Sequence, residues 1–254
     1  MRRFLIAAAA AAGLAAGVAP ALGAEGAPKP PAQHWSFDGM FGTYDRGALQ
    51  RGFQVYREVC SACHAAHHIY YRNLAQIGFT DEQIKGIAAD VEVPDGPNDQ
   101  GEMFTRPGRV TDRLKAPFAN EQAARAGNNG AYPPDLSMVV KARLDGANYV
   151  HGLLTGYGDP PPDMKMQEGM NYNAYFPGHQ IAMPPPLQPD GVTYADGTKA
   201  TVDQMARDVT TFLAWASEPE MEVRKRMGVK VILFLIVFTG LLYAVKRKIW
   251  AAVH

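Results

Sequence analysis

Cysteine is scarce in this sequence: two among 254 residues, Cys60 and Cys63. That scarcity excludes a disulfide-dense scaffold and a four-thiolate zinc or iron–sulfur site. Acidic residues are missing from both ends, before Glu25 and after Glu222, so a formal net charge of zero conceals a segregated chain. With Arg2, Arg3 and the seven basic residues from Arg224 onward set aside, residues 25–223 hold 16 basic against 25 acidic residues, net −9. An acidic middle argues against nucleic acid as a partner and for a cationic one. Strand-like alternation is weak and no internal repeat is present. At 47% hydrophobic and 20% charged residues, the chain is not a disordered one. Its length suits one large domain or two small ones.

The two ends read separately from the rest. Residues 1–24 begin with Arg2 and Arg3, continue as an Ala/Leu/Val stretch and end in small residues, the layout of a secretory signal peptide cut between Ala21 and Ala24. Near the other end, Val231–Val245 carries no charge. Fifteen helical residues rise about 22 Å, short of a hydrocarbon core of about 30 Å. Lys230 and Lys246 can snorkel from the edges, Trp250 can sit at an interface, and Met227, Gly228 and Val229 extend the span. We therefore expect a transmembrane anchor over 224–248 with its flanking basic residues. The signal peptide sets the orientation: residues 25–223 outside and 249–254 in the cytoplasm, which for a bacterial chain means an inner-membrane protein facing the periplasm.

Within 25–223, Asp45 is a candidate N-cap, and Leu49, Phe53, Tyr56 and Cys60 recur at helical spacing. A second helix starts at the capping pattern TVDQ from Thr201. Its apolar stripe is Val202, Met205, Val209, Phe212, Leu213 and Ala216, with a boundary at Pro219. Asp196-Gly197 suggests a short hairpin around Val192–Lys199. Residues 104–135 and 156–199 are rich in Pro, Gly and Asn; so much irregular chain implies that a cofactor organises it.

Cys60-Ser61-Ala62-Cys63-His64 supplies that cofactor. C-x-x-C-H is the attachment signature of c-type haem: two thiols one turn apart can add to two vinyl groups, and the adjacent imidazole becomes the proximal iron ligand. A thiol–disulfide enzyme would share C-x-x-C, but no βαβ pattern surrounds it. For the sixth iron position, His67, His68, His151, His179 and several Met are all candidates. Met183 stands out, because Pro184, Pro185 and Pro186 stiffen the loop behind it.

These residues resemble the cytochrome c1 family, the haem subunit of quinol–cytochrome c reductase. The likeness runs from about Trp35 to Trp250. It rests on RGFQVYREVCSACH, VEVPDGPNDQGEMFTRPG, ANEQAARAGNNGAYPPDLS, LLTGY, NYNAYFPGHQIAMPPPL, DGTKATVDQMARDV and EPEMEVRKRMG. The resemblance implies a mainly α, class I cytochrome c-like haem domain with long loops, plus one C-terminal transmembrane helix. It implies one covalent haem c on Cys60 and Cys63, with His64 and Met183 as axial ligands. Arg125 matches an arginine beside a haem propionate, and Tyr132, in the same block, faces the haem edge. The implied partners are cytochrome b, a Rieske iron–sulfur protein as donor, a basic soluble cytochrome c as acceptor, and the membrane. The chain departs from some bacterial members in having no additional cysteine pair to tie a loop. The rival readings are a membrane-anchored cytochrome c serving a terminal oxidase or nitric oxide reductase, and a periplasmic thiol–disulfide enzyme.

Overall fold

The computed structural model describes residues 28–252. The expected signal peptide and the last two residues of the expected tail lie outside them. The described chain is mainly helical, as expected, with two short antiparallel ribbons.

Two helices make the core. Helix α1, Arg46–Glu58, starts where expected: the Asp45 carboxylate accepts the Ala48 N–H at 3.0 Å. Its stripe of Leu49, Phe53 and Tyr56 is buried. Cys60 is not the last residue of that helix. The chain tightens into a 3₁₀ turn, Cys60–Ala62, in which Ser61 Oγ donates to the Arg57 carbonyl at 2.7 Å. After a 3₁₀ stretch at Tyr71–Ile77 come helix α2, Asp81–Ala89, and a ribbon of β1, Glu92–Asp95, and β2, Phe104–Pro107. Helices α3 (Glu121–Gly127), α4 (Val139–Ala142) and α5 (Gly146–Thr155) follow, then a ribbon of β3, Asn171–Tyr172, and β4, Gln180–Ile181.

Helix α6, Val202–Ser217, packs along α1. Thr201 caps it as the sequence indicates, accepting the Gln204 N–H at 3.1 Å. Gly52 is what lets the two helices meet: a Cβ there would lie 2.0 Å from the Asp208 carbonyl oxygen. Around that contact Phe53 and Tyr56 stack on Phe212, which continues onto Trp215. One ion pair is sealed into the same seam. Arg51 donates from Nε and Nη2 to the fully buried Asp208, at 2.9 and 3.0 Å, and its third nitrogen, Nη1, reaches Asp196.

The expected hairpin at Val192–Lys199 does not form. Asp196-Gly197 does turn the chain, with Gly197 at φ +76°. The flanking polar groups go elsewhere: the Thr193 carbonyl accepts from Gln54 Nε2, and Asp196 caps the Thr198 N–H and binds Arg51. Val192 and Tyr194 are buried as loop residues. The longer ribbon instead lies in the acidic segment 90–107, where Arg106 bridges Asp95 and Asp112.

Helix α7, Met221–Trp250, is long and apolar enough to cross a membrane, and its window of highest hydropathy buries none of its residues. Its first turns belong to the folded domain. Met221 is buried in the core, and Glu222 accepts the Tyr44 N–H at 2.9 Å and the Arg46 guanidinium at 2.8 Å.

Candidate haem site

The two thiols and the imidazole lie within one turn, fixed by two bonds to the same carbonyl: Cys63 N and His64 N both donate to Cys60 O, at 3.2 and 2.9 Å. Burial pushes the Cys60 thiol up to about 12, so it is no ready thiolate, whereas Cys63 is exposed. A redox dithiol needs a thiolate stabilised by its surroundings; Cys60 has the reverse.

His64 Nδ1 lies 2.7 Å from the Pro134 carbonyl oxygen. A carbonyl only accepts, so Nδ1 carries the proton and Nε2 keeps its lone pair. Burial also pushes the imidazole below its ordinary value, which favours the neutral form that binds a metal. Pro134 is held from the next residue. The Asp135 carboxylate accepts the backbone N–H groups of His67 at 2.9 Å and Ser137 at 2.8 Å, and lies 2.6 Å from His67 Nδ1. Partial burial alone would raise that carboxyl, but hydrogen bonds from Ser137 and His67 hold it below its ordinary value. Leu136 N–H to Ala65 O and His68 N–H to Ser137 Oγ complete the stitching of 134–137 onto 65–68.

Met183 sits on a separate support. Its carbonyl accepts from Tyr157 Oη at 3.1 Å and Asn171 Nδ2 at 3.4 Å, directly after β4. Asn173 organises this region: fully buried, it donates to Leu153 O at 2.7 Å and accepts the N–H groups of Tyr175 and Phe176. The two supports are joined through the fold, because 134–137 runs into α4, α4 packs on α5, and α5 leads to Tyr157.

The other expected residues fall as follows. Arg125 and Tyr132 are together, the guanidinium carbon 5.5 Å from the ring centroid. Arg125 is also committed to Glu121 at 2.8 Å and to the Gly130 carbonyl at 2.9 Å. Of the histidines weighed for the sixth position, His151 is buried with Nε2 3.0 Å from Asp203, and its ring meets Trp35 edge-on. His179 stacks on Tyr172, with Nδ1 3.3 Å from Asn173 O. His67 is taken by Asp135. Cys60, Cys63, His64 and Met183 fit the donor set of a c-type haem: two thiols, an imidazole with Nε2 available, and a thioether on a stiffened loop.

Sequence reasoning missed Pro134, Asp135, Tyr157 and Asn173. The first acts through its backbone, which no residue type announces.

Comparison with known proteins decides the family. The model of the Cytochrome C1 family matches residues 35–253. The chain is 50% identical to cytochrome c1 of Rhodospirillum rubrum over 234 residues, covering 86% of each. It is 55% identical over 205 residues to an Arabidopsis thaliana protein named cytochrome c1 2, heme protein, mitochondrial, covering 81% of this chain and 67% of that one. It is 50% identical over 252 residues to cytochrome b/c1 of Bradyrhizobium diazoefficiens, covering 91% of this chain but only 37% of that protein's length.

The chain belongs to the cytochrome c1 family. As a member it is a c-type haem electron carrier with a C-terminal helix able to cross a membrane.

Proposed function

We propose that this chain is the haem subunit of a quinol–cytochrome c reductase. It takes electrons singly from a Rieske iron–sulfur protein and passes them to a soluble cytochrome c beside a cytochrome b partner. The names of relatives, cytochrome b/c1 in Bradyrhizobium diazoefficiens and cytochrome b-c1 complex catalytic subunit in Candida albicans, support that assembly. When bound, the haem supplies an iron centre that gains and loses one electron.

The chain's own residues determine how that centre behaves. Cys60 and Cys63 hold the group covalently, and His64 presents Nε2 while Pro134 O keeps the proton on Nδ1. Met183 would supply a thioether to the iron, and with His64 and Met183 both bound the centre would carry electrons rather than bind oxygen. Arg125 offers a guanidinium to a propionate, and Tyr132 lies beside it at the cofactor's edge. Residues 1–24 direct export, residues 25–223 carry the haem on the periplasmic face of a bacterial inner membrane, and 224–248 anchor it. Residues 249–254 lie on the cytoplasmic side.

The observation that carries this reading is the 2.7 Å contact between His64 Nδ1 and Pro134 O, which presets the imidazole as an iron ligand. The test is a haem stain after denaturing electrophoresis with a pyridine haemochrome spectrum, repeated on Cys60→Ser/Cys63→Ser. Covalent haem surviving in the double variant ends the attachment assignment. A Met183→Leu variant with an unchanged reduction potential ends the sixth-ligand assignment. Copurification with a terminal oxidase in place of cytochrome b and a Rieske protein ends the assignment to this complex.

A further inference from the structure

We propose that the loop Phe37–Gly42 is a second membrane contact, inserting Met40 and Phe41 at the lipid–water interface beside helix α7.

The loop is built rather than slack. Its neck is closed by Thr43 N–H to Ser36 O at 3.0 Å and Asp38 N–H to Trp35 O at 3.1 Å, and the Asp38 carboxylate accepts the Trp35 N–H at 3.2 Å. Gly39 takes φ +70°, and Gly42 lies so close to the opposite limb that a Cβ would sit 2.0 Å from the Asp38 carbonyl oxygen. Phe37 turns inward, stacked on Trp35 at 5.5 Å and meeting Tyr44 at 5.3 Å. The tip does the opposite. Met40 is 58% exposed and Phe41 79% exposed. A rooted loop that half-buries one aromatic against the core and holds the apolar pair at its tip in the open resembles an interfacial contact more than a scattered surface residue.

The position of the loop identifies what it meets. Lys225 Nζ donates to the carbonyls of Phe37 and Gly42, at 2.6 and 3.2 Å. Lys225 is on α7, two residues before Met227 and six before the uncharged run that starts at Val231. At 1.5 Å per residue it stands about 3–9 Å above that apolar surface, within the headgroup layer. The run alone is too short for the hydrocarbon core, and the uncharged Met227, Gly228 and Val229 extend it toward Lys225. A loop clamped to that lysine lies at the same level. Arg226 and Lys230 near it suit lipid phosphates, while Arg224 is paired with Glu218. With the span, the loop would give two points of attachment and so fix how the haem domain leans over the bilayer.

The proposal rests on α7 spanning the membrane, and the test separates the two. Full-length holoprotein in phosphatidylcholine nanodiscs would carry a nitroxide at Phe41→Cys, at Phe234→Cys within the span, or at Asp99→Cys on the exposed ribbon turn. Cys60 and Cys63 are consumed by haem, and unlabelled wild type checks this. We expect the ratio of oxygen to nickel-chelate accessibility at position 41 to be several-fold above that at 99 and to approach that at 234. A water-like value at 41 with a lipid-like value at 234 overturns the loop contact alone; water-like values at both overturn the span and the loop together. Shielding from both agents in the assembled complex would mean that a protein subunit covers the tip, and would also overturn the lipid assignment. Met40→Cys provides the same measurement should Phe41→Cys fail to take up haem.

Discussion

Replacing Asp135 by Asn tests whether the carbonyl behind His64 is set by the side chain next to it. The carboxylate takes three hydrogen bonds: two backbone N–H groups at 2.9 and 2.8 Å, and His67 Nδ1 at 2.6 Å. Each bond to a charged acceptor contributes about 1.5–3 kcal/mol. Asn keeps one oxygen and turns an NH₂ toward a donor, so at least one bond is lost and the local cost is about 2–3 kcal/mol. Pro134 is bonded directly to this residue, and its carbonyl loosens with it.

The sign of the redox effect follows. A proton shared from Nδ1 to a carbonyl makes the imidazole a better donor and favours oxidised iron. Weakening it favours the reduced form, and so does removing a negative charge nearby. Both act upward. If the bond favours the oxidised form by about 1 kcal/mol, a one-electron couple shifts by about 40 mV. Spectroelectrochemical titration of the full-length holoprotein measures this directly. A potential that is unchanged, or lower, in Asp135→Asn with haem fully retained would refute the reasoning, because position without redox effect leaves Asp135 a loop staple only.

Three further outcomes are expected. Arg51→Leu leaves the buried Asp208 carboxylate without its counter-charge and with only Gln204 Nε2 as a side-chain donor, a loss of about 3–5 kcal/mol, or roughly 6–20 °C in melting temperature for a domain of this size; a change within a degree would show the pair to be dispensable. A chain ending after Glu220 loses Met221 from the core, about 1.5–3 kcal/mol, together with the bonds of Glu222 and Lys225. It should therefore melt well below one ending after Arg226, and equal melting points would place the boundary at Pro219. Glu92→Lys/Asp99→Lys/Glu102→Lys should slow electron transfer to a basic cytochrome c at low salt, with the gap closing as the Debye length falls from about 30 Å at 0.01 M to about 10 Å at 0.1 M. Asp95 is excluded from that set because it holds Arg106 and the ribbon, and a wild-type rate flat in salt would remove the docking role.

The long helices were legible because each carries its evidence within itself. For α1 and α6 a side-chain cap precedes a 3.6-residue apolar stripe, and both caps and nearly all of both stripes are where the periodicity puts them. The ribbons were not legible, for opposite reasons. Asp196-Gly197 is a true turn signal, but the Thr193 carbonyl that could have joined a ladder accepts from Gln54 of α1, and the Asp196 side chain is held by Arg51. Segment 92–107 hides its strands behind Pro94, Pro97 and Pro107, and Arg106 on β2 bridges Asp95 on β1 and Asp112 beyond both strands. In the first case the deciding partners come from outside the segment, where local pattern has no access; in the second, three prolines mask strands that pair locally.

The haem site divides the same way, and the division is chemical. Proposed attachment needs two thiols one turn apart, with the imidazole beside them for iron, so Cys60, Cys63 and His64 fall within five residues and are readable at sight. Tuning the imidazole needs only an oxygen at hydrogen-bond distance from Nδ1, and any residue's carbonyl can supply one. The fold takes it from Pro134, 70 residues away, and secures it with a carboxylate on the far side of the same stitch. The thioether's support likewise comes from Tyr157 and Asn171 acting on the Met183 backbone. Residue types therefore reveal which cofactor this family takes, while in the proposed site backbone carbonyls, invisible to any motif, would set how that cofactor is held. Variants that leave every motif residue intact, Asp135→Asn first among them, are for that reason the ones that should move the potential without touching attachment.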